Sequence, residues 1–113
     1  MNTVRYVLGC CLLLQQSLFA HADACSDLQA ALAKGTALRQ EMQREAAPFV
    51  SSGQIPARHE GVCAAAQKLR DHTVDLAKKI DSKCLNDDQY RSTAAILGET
   101  MREANDNIGL FCN

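Results

Sequence analysis

Six cysteines give this sequence its most distinctive chemistry, and four of them lie beyond residue 22, at Cys25, Cys63, Cys84 and Cys112. Cysteine thiols can bind metals, attack substrates or form disulfides. In a short exported domain an even number of cysteines indicates disulfide bonds. We therefore predict two disulfides, and four cysteines can be paired in three ways.

Two histidines are candidates for metal binding or acid–base chemistry. His59 and Cys63 lie four residues apart on a predicted helix, so they share a face and could bind zinc if the thiol were free. The predicted disulfide is the more favoured interpretation of that cysteine. His72 and Asp75 could pair as a general base and its orienting carboxylate, but no positioned nucleophile accompanies them. We expect no catalytic, cofactor or metal site.

Two pairs of residues that could bind metals have ordinary structural explanations. Asp87 and Asp88 lie at a predicted helix start, where negative charge interacts favourably with the helix dipole, and the ligand spacing of an EF-hand is absent. Met42 and Met101 fall on predicted apolar stripes, where packing is the default role of methionine. Neither pair predicts a metal site.

The strongest structural signal is the segment 87–112. Its apolar residues are spaced alternately by four and three positions, which places them on one stripe of a helix. These residues are Tyr90, Ala94, Leu97, Met101, Ala104, Ile108 and Phe111. Asn86 and Gln89 form a predicted capping box at its start. The pattern indicates a helix packed against other helices.

Two more helices are predicted before this one. The first spans residues 26–47, begins with a Ser-x-x-Gln capping box and should end at Pro48, which cannot continue a helix. The second spans residues 56–83, and its first residue is a proline, which suits the first turn. The loop 49–55 has the length that joins neighbouring antiparallel helices.

Three helices with short connections run up, down and up, and this topology selects one pairing of the cysteines. Cys25 and Cys84 lie at one end of the bundle, and Cys63 and Cys112 lie toward the other. A bond between Cys63 and Cys84 would span about 31 Å of a single helix, whereas a disulfide requires Cα atoms about 4.4–6.8 Å apart. We predict an all-α, up-down-up three-helix antiparallel bundle with disulfides Cys25–Cys84 and Cys63–Cys112.

The predicted core is thin, because its stripes are rich in alanine and the sequence has no tryptophan. Alanine contributes little apolar burial. We expect the disulfides to compensate for this core. Leu32, Leu69 and Leu97 are predicted to be the most buried residues.

Residues 1–22 have the pattern of a secretory signal peptide. The single charge of Arg5 precedes an apolar run, and small residues at positions 20 and 22 suit cleavage after Ala22. The remaining residues, 23–113, are of a length typical of one domain. We expect this disulfide-stapled helical domain to be periplasmic or secreted.

Other interpretations of the first residues are less favoured. A membrane-spanning helix needs about 20 apolar residues, and this run is shorter. A lipid anchor on Cys10 would have almost no apolar segment before it. Cleavage after Ala20 or Ala24 remains open, and cleavage after Ala20 would expose His21 as an amino-terminal copper ligand.

The charge pattern limits the class of partner. Residues 23–113 carry 11 basic and 13 acidic side chains in mixed order, and no basic run exceeds Lys78-Lys79. This pattern argues against nucleic acid or an anionic membrane as a charge-driven partner. No membrane span is expected after cleavage of the signal peptide.

One unusual feature is a polar pair on the apolar faces. Arg39 lies on the apolar face of the first helix and Thr73 on that of the second. The predicted register places Arg39 level with Ala66 and Ala104, whose small side chains could leave a notch. Arg39 then either extends to solvent or pairs with a carboxylate, or it borders a groove for a ligand or partner side chain.

Four apolar residues are predicted to lie outside the core, namely Phe49, Val74, Ile96 and Leu110. Scattered exposed apolar residues are normal, whereas a contiguous patch indicates a protein interface or a homodimer seam.

The sequence carries no motif of a known family. It favours a small, exported, non-catalytic protein that acts by protein–protein contacts, as a binding or inhibitor-like module. The partner is an unknown protein, and a homodimer is possible. The alternative is a small-ligand or lipid-binding helical module that uses the groove near Arg39. A contiguous exposed patch favours the first function, and an enclosed cavity above about 300 Å³ favours the second.

Overall fold

The computed structural model describes the backbone of residues 2–113 and the side chains of residues 24–113. It contains three helices, α1 (Asn2–Ser52), α2 (Glu60–Lys79) and α3 (Asp87–Phe111). Within residues 2–113 no strand forms, and the predicted all-α bundle of three helices is confirmed. The predicted signal peptide, residues 1–22, and its alternatives lie outside the residues whose side chains are described.

The central helix of the bundle is α2. It packs along both α1 and α3, whereas α1 and α3 approach each other much less closely. The buried residues of α2 are Val62, Cys63, Ala65, Ala66, Leu69, Thr73 and Leu76. The bundle therefore has an open seam between α1 and α3, with α2 beneath it.

Both predicted disulfides are confirmed. The Cα atoms of Cys25 and Cys84 are 5.3 Å apart, and those of Cys63 and Cys112 are 5.0 Å apart. The bonds link residues 59 and 49 positions apart in the sequence. We call the end of the bundle with Cys25–Cys84 the lower end and the end with Cys63–Cys112 the upper end.

The start of α3 agrees with its predicted capping box. The backbone amide of Gln89 donates to Asn86 Oδ1 at 2.8 Å, and the amide of Asn86 donates to Gln89 Oε1 at 3.0 Å. The capping box predicted at Ser26 is wrong, because Ser26 lies inside α1. A side chain within a continuous helix has no free amide groups of a first turn to accept from.

The predicted stop of the first helix at Pro48 is wrong, because α1 continues to Ser52. A proline removes one amide donor and crowds the carbonyl four residues earlier. The helix tolerates the lost amide donor and the crowding, because Pro48 lies in the second-last turn of a long helix. The helix instead ends before Gly53, whose positive φ of 69° is the left-handed conformation that commonly terminates helices.

No helix forms over residues 54–59, and the segment ends in an extended conformation at Arg58 and His59. The backbone amide of His59 donates to the carbonyl of Phe111 at 2.9 Å, and Arg58 forms an isolated antiparallel bridge with Cys112. The predicted helix start at Pro56 is therefore wrong. The physical reason is a contact between residues distant in the sequence, which draws this segment onto the end of α3.

The second helix is shorter than predicted at both ends. It begins at Glu60, and His59 caps it, because His59 Nδ1 accepts a hydrogen bond from the amide of Val62 at 3.2 Å. It ends at Lys79 rather than near Lys83, with Ile80 in an extended conformation. The capping histidine lies just where the extended segment meets the helix.

The core consists of three apolar clusters stacked along the bundle. The middle cluster contains Leu38, Met42, Ala65, Ala66, Leu69 and Ala104. The lower cluster contains Leu28, Leu76, Leu85 and Leu97, and the upper cluster contains Ala46, Val62 and Phe111. Leu69 is fully buried as predicted, whereas Leu97 is buried less deeply than Met42, Val62 or Phe111. Leu32 is only half-buried, so that prediction is wrong, because Leu32 faces the open seam.

Candidate functional site

The seam between α1 and α3 contains a groove of about 260 Å³, which we call the lower groove. Its α1 wall consists of Leu32, Gly35, Thr36 and Arg39, and its α3 wall of Thr93, Ile96, Leu97 and Thr100. Thr73 and Leu76 of α2 form its floor. The groove exists because α2 holds the two outer helices apart.

The four residues of the notch predicted from the sequence divide into two groups. Arg39 and Thr73 line the lower groove. Ala66 and Ala104 do not, because both are fully buried in the middle core cluster. Their small side chains allow α2 and α3 to pack closely, and this packing leaves no space beside them.

Arg39 pairs with a carboxylate on the opposite helix. Its Nε donates to Glu103 Oε2 at 2.8 Å, and its Nη2 lies 2.7 Å from the same oxygen. Gln43 Nε2 donates to the other oxygen, Oε1, at 2.8 Å. The side chains of Arg39 and Glu103 are 31% and 28% exposed. The charge of Arg39 is therefore neutralised within the protein, at the upper end of the lower groove.

Three of the four threonines of the lower groove form hydrogen bonds within their own helices. The hydroxyls of Thr36, Thr73 and Thr100 each donate to the carbonyl four residues earlier in the same helix, at 3.2, 2.7 and 2.8 Å. Among the described side chains, no buried polar atom lacks a partner. The groove therefore offers methyl groups and hydroxyl oxygens, and it contains no buried polar group that requires a ligand.

The ion pair makes a testable prediction about stability. We expect Arg39→Met to lower the free energy of unfolding by about 1 kcal/mol, because Glu103 keeps only Gln43 as a partner in a half-buried position. The double variant Arg39→Met/Glu103→Leu should recover wild-type stability or exceed it, since no charge remains. Urea unfolding of both variants measures this. An Arg39→Met protein more stable than wild type would show instead that Arg39 contributes only the packing of its stem.

A second groove lies on the other side of this ion pair. This upper groove has a volume of about 300 Å³. Its lining residues are Gln43, Ala46, Ala47, Val50, Ser51, Glu103 and Asn107. Two grooves therefore follow one another along the seam, and the Arg39–Glu103 pair separates them.

The side of the bundle that carries both grooves presents mainly apolar, amide and hydroxyl side chains around one ion pair. We define the α1–α3 face by its residues on α1, which are Gln29, Leu32, Ala33, Thr36, Arg39, Gln40, Gln43, Ala47 and Val50. Its residues on α3 are Gln89, Ser92, Thr93, Ile96, Thr100, Glu103, Asn107 and Leu110. Arg39 and Glu103 pair with each other, and the exposed carboxylates Glu99 and Asp106 lie on the same side of α3, between Ile96 and Leu110. Lys34 and Glu41 lie on the opposite side of α1, by helical spacing.

The three most exposed large apolar side chains of the described residues lie on this face. They are Val50, Ile96 and Leu110, which are 69%, 55% and 46% exposed. Ile96 and Leu110 were predicted to be exposed, and so was Val74, which is exposed on α2. Val50 was not identified from the sequence, because its segment was predicted as a loop rather than as the last turn of α1.

Phe49 is not exposed, contrary to its prediction. Its ring is half-buried, with its centroid 5.6 Å from that of Phe111 and 4.6 Å from that of His59. The continuation of α1 past Pro48 places Phe49 over the upper core cluster. It therefore does not contribute to an apolar surface patch.

Both histidines of the described region are bonded to the backbone. Nε2 of the half-buried His72 lies 2.8 Å from the carbonyl oxygen of Ala31, and His59 caps α2. Cys63, the possible zinc ligand beside His59, is in a disulfide. Within residues 24–113 no three His, Cys, Asp or Glu side chains gather as a metal site. These imidazoles have structural partners.

The extended segment carries an exposed ion pair. Arg58 donates a hydrogen bond to Glu60, and chiefly this bond, with the attraction of the two charges, lowers the pKa of the Glu60 carboxyl and raises that of Arg58. Arg58 Nη1 also donates to the carbonyl of Cys112 at 2.9 Å. Water screens such an exposed pair, and the side-chain contact between this segment and the end of α3 is the bond from Arg58 to Cys112.

Comparison with known proteins adds no functional assignment. No protein-family model, no curated protein and no solved structure matches this chain. Across the described residues, no helical stretch is both long and apolar enough to span a bilayer.

Proposed function

We propose that this protein is a small, exported, non-catalytic binding module that contacts another protein through its α1–α3 face. The observation that carries the proposal is that the three most exposed large apolar side chains lie on the same side of the bundle as both grooves. The central parts of protein interfaces are rich in apolar contact. Scattered exposed residues would have fallen on several sides.

The shape of the α1–α3 face also supports a protein partner. The lower and upper grooves lie in line along the seam, so a partner could place one side chain in each. Anchors that fill pockets near the centre of an interface supply much of the binding energy. The ion pair Arg39–Glu103 and its neighbour Gln43 lie between the grooves and give the centre polar, oriented groups.

Two further observations support the export of the protein. Two intramolecular disulfides are compatible with an extracellular or periplasmic protein. Together with the signal-peptide pattern of residues 1–22, they support export.

Capture by matched variants tests the proposal. Three oxidised proteins are purified from the compartment to which the protein is exported: wild type, Ile96→Lys and Val74→Lys. Each is then immobilised separately. Val74 is the control, because it is also exposed and apolar but lies on α2. We expect wild type and Val74→Lys to retain the same partner and Ile96→Lys to lose most of it. Equal capture by Ile96→Lys, or loss in Val74→Lys alone, would exclude the α1–α3 face.

The lower groove supports a second candidate function, the binding of a small apolar ligand beside Arg39. Its volume of about 260 Å³ is just below the range of about 300–1,000 Å³ typical of ligand pockets, so we place it second. Thr93→Trp should fill the groove from its half-buried wall, and Ala95→Trp, on the exposed opposite side of α3, is the control. If Thr93→Trp loses the binding of a fluorescent fatty-acid probe and Ala95→Trp keeps it, this function is supported. Unchanged probe binding in both variants would exclude it.

A further inference from the structure

We propose that the partner of the α1–α3 face presents a basic amphipathic helix, which lies in the seam and places its cationic side chains against α3. This inference rests on the proposed function, because it names the chemistry of the protein that covers the same face. The shape of the seam, the distance between its grooves and the exposed carboxylates of α3 each bear on the character of that partner.

The seam has the shape of a groove that binds a helix. The outer helices α1 and α3 run in the same direction, and α2 packs along both of them, whereas α1 and α3 approach each other much less closely. In a four-helix bundle, a fourth helix fills such a gap. An amphipathic helix that lays its apolar side into a groove is a recurring mode of protein recognition.

The two grooves fit two apolar side chains on one side of such a helix. The walls of the lower and upper grooves are centred about ten residues apart along α1 and α3, which corresponds to about 15 Å at 1.5 Å per residue. Residues eleven positions apart in a helix are about 16 Å apart and lie on the same side, because eleven residues make about three turns. A partner helix therefore reaches both grooves with apolar residues at this spacing.

Two exposed carboxylates of α3 give the seam its charge. Glu99 and Asp106 are seven residues apart, so they lie on one side of α3 and about 10 Å from each other along its axis. Within the described residues neither forms an ion pair, and Arg102, which lies between them in the sequence, pairs with neither. The carboxylate of Glu103, in contrast, is neutralised by Arg39. A partner that covers this side therefore needs positive charge to be complementary to it.

The position of the carboxylates determines which flank of the partner is basic. Around α3, Glu99 lies about 60° from Ile96 on the side away from α1, whereas Thr100 lies about 40° from Ile96 toward α1, where it lines the lower groove. Across the seam, the rim of α1 carries Gln40 and, further from the seam, the exposed Arg44. The basic side chains of the partner therefore belong on the flank that meets α3.

A synthetic peptide tests the inference. The probe is an alanine- and glutamine-rich helix of about 18 residues, or five turns. It has two leucines at positions i and i+11 to match the grooves, and two lysines at i+3 and i+10 to match the carboxylates. A control peptide has glutamates in place of the lysines. By fluorescence anisotropy with the oxidised protein at low salt, we expect the lysine peptide to bind about tenfold more tightly.

Charge variants of the protein show whether the carboxylates of α3 select the peptide. Glu99→Gln/Asp106→Asn should bind the lysine peptide about three- to tenfold more weakly than wild type. Salt at about 1 M should remove most of this difference, because it screens exposed charges. The control is Asp71→Asn/Asp75→Asn, which removes two exposed carboxylates of α2 and so matches the first variant in net charge. It should bind the lysine peptide like wild type.

The outcomes separate this inference from the proposed function. Failure of the lysine peptide to bind, equal binding of both peptides, or equal loss in both double variants would overturn the basic helix. Dimerisation of the protein alone that Ile96→Lys abolishes would also overturn it, because a second copy would then cover the face. A protein captured through Ile96 and retained fully by Glu99→Gln/Asp106→Asn would overturn the inference and leave the proposed function standing.

Discussion

The variant in which Cys25 and Cys84 are both replaced by serine should melt about 15–30 °C below the wild-type protein. The disulfide closes a loop between residues 59 positions apart, for which the chain-entropy model gives about 4 kcal/mol. In a domain of 60–100 residues each kcal/mol corresponds to about 4–8 °C. Thermal unfolding followed by circular dichroism measures the shift.

The size of this effect follows from the composition of the core. Four of its buried residues are alanines, Ala46, Ala65, Ala66 and Ala104, and each buries little apolar surface. The net stability of a domain is only about 5–15 kcal/mol, so one cross-link is a large fraction of it. Replacement of Cys63 and Cys112 should cost a similar amount. A melting curve unchanged after full reduction would show that packing alone stabilises the fold.

The second large effect is expected at Phe111. Its fully buried side chain belongs to the upper core cluster with Ala46 and Val62, and Phe49 packs against it. Phe111→Ala should lower the free energy of unfolding by about 3–5 kcal/mol, because it removes the ring and leaves a cavity. Urea unfolding measures the change.

A neighbouring residue provides the control for this prediction. Leu110 precedes Phe111 in the chain but is 46% exposed. Leu110→Ala should change the free energy of unfolding by less than about 1 kcal/mol, as is usual for surface substitutions. Comparable losses in the two variants would show that the last turn of α3 is stabilised as a whole rather than by the buried ring.

The parts of the fold that follow from local pattern and covalent geometry were predictable from the sequence. The apolar stripe of α3 and the capping box of Asn86 and Gln89 are local signals. The pairing of Cys25 with Cys84 and of Cys63 with Cys112 followed from the topology, because the other pairings exceed the reach of a disulfide.

The region between α1 and α2 was not predictable in the same way. Its extended conformation depends on the bridge between Arg58 and Cys112, which are 54 positions apart in the sequence. No local pattern contains that contact. The end of α1 was misassigned because Pro48 is a stronger stop signal in general than Gly53, although here the glycine is the terminator.

Part of the candidate site was predictable from the sequence. Arg39 and Thr73 stood out because polar residues interrupt apolar stripes, and both line the lower groove. The partner of Arg39 was not identified, because Glu103 lies on the flank of α3, where a charged residue is ordinary. The small side chains of Ala66 and Ala104 predicted a notch. Small residues also permit close helix packing, and in the structure both alanines are buried in the middle core cluster.

The two disulfides also determine whether a protease can release a fragment from the protein. A single cut in the connection after Gly53 would leave α1 bonded to α2 through Cys25–Cys84. A cut between Ile80 and Lys83 would leave two pieces held by both bonds. One nick in either connection therefore releases no fragment, and the three helices stay one covalent molecule. A digest must be analysed under reducing conditions before the protein can be judged intact.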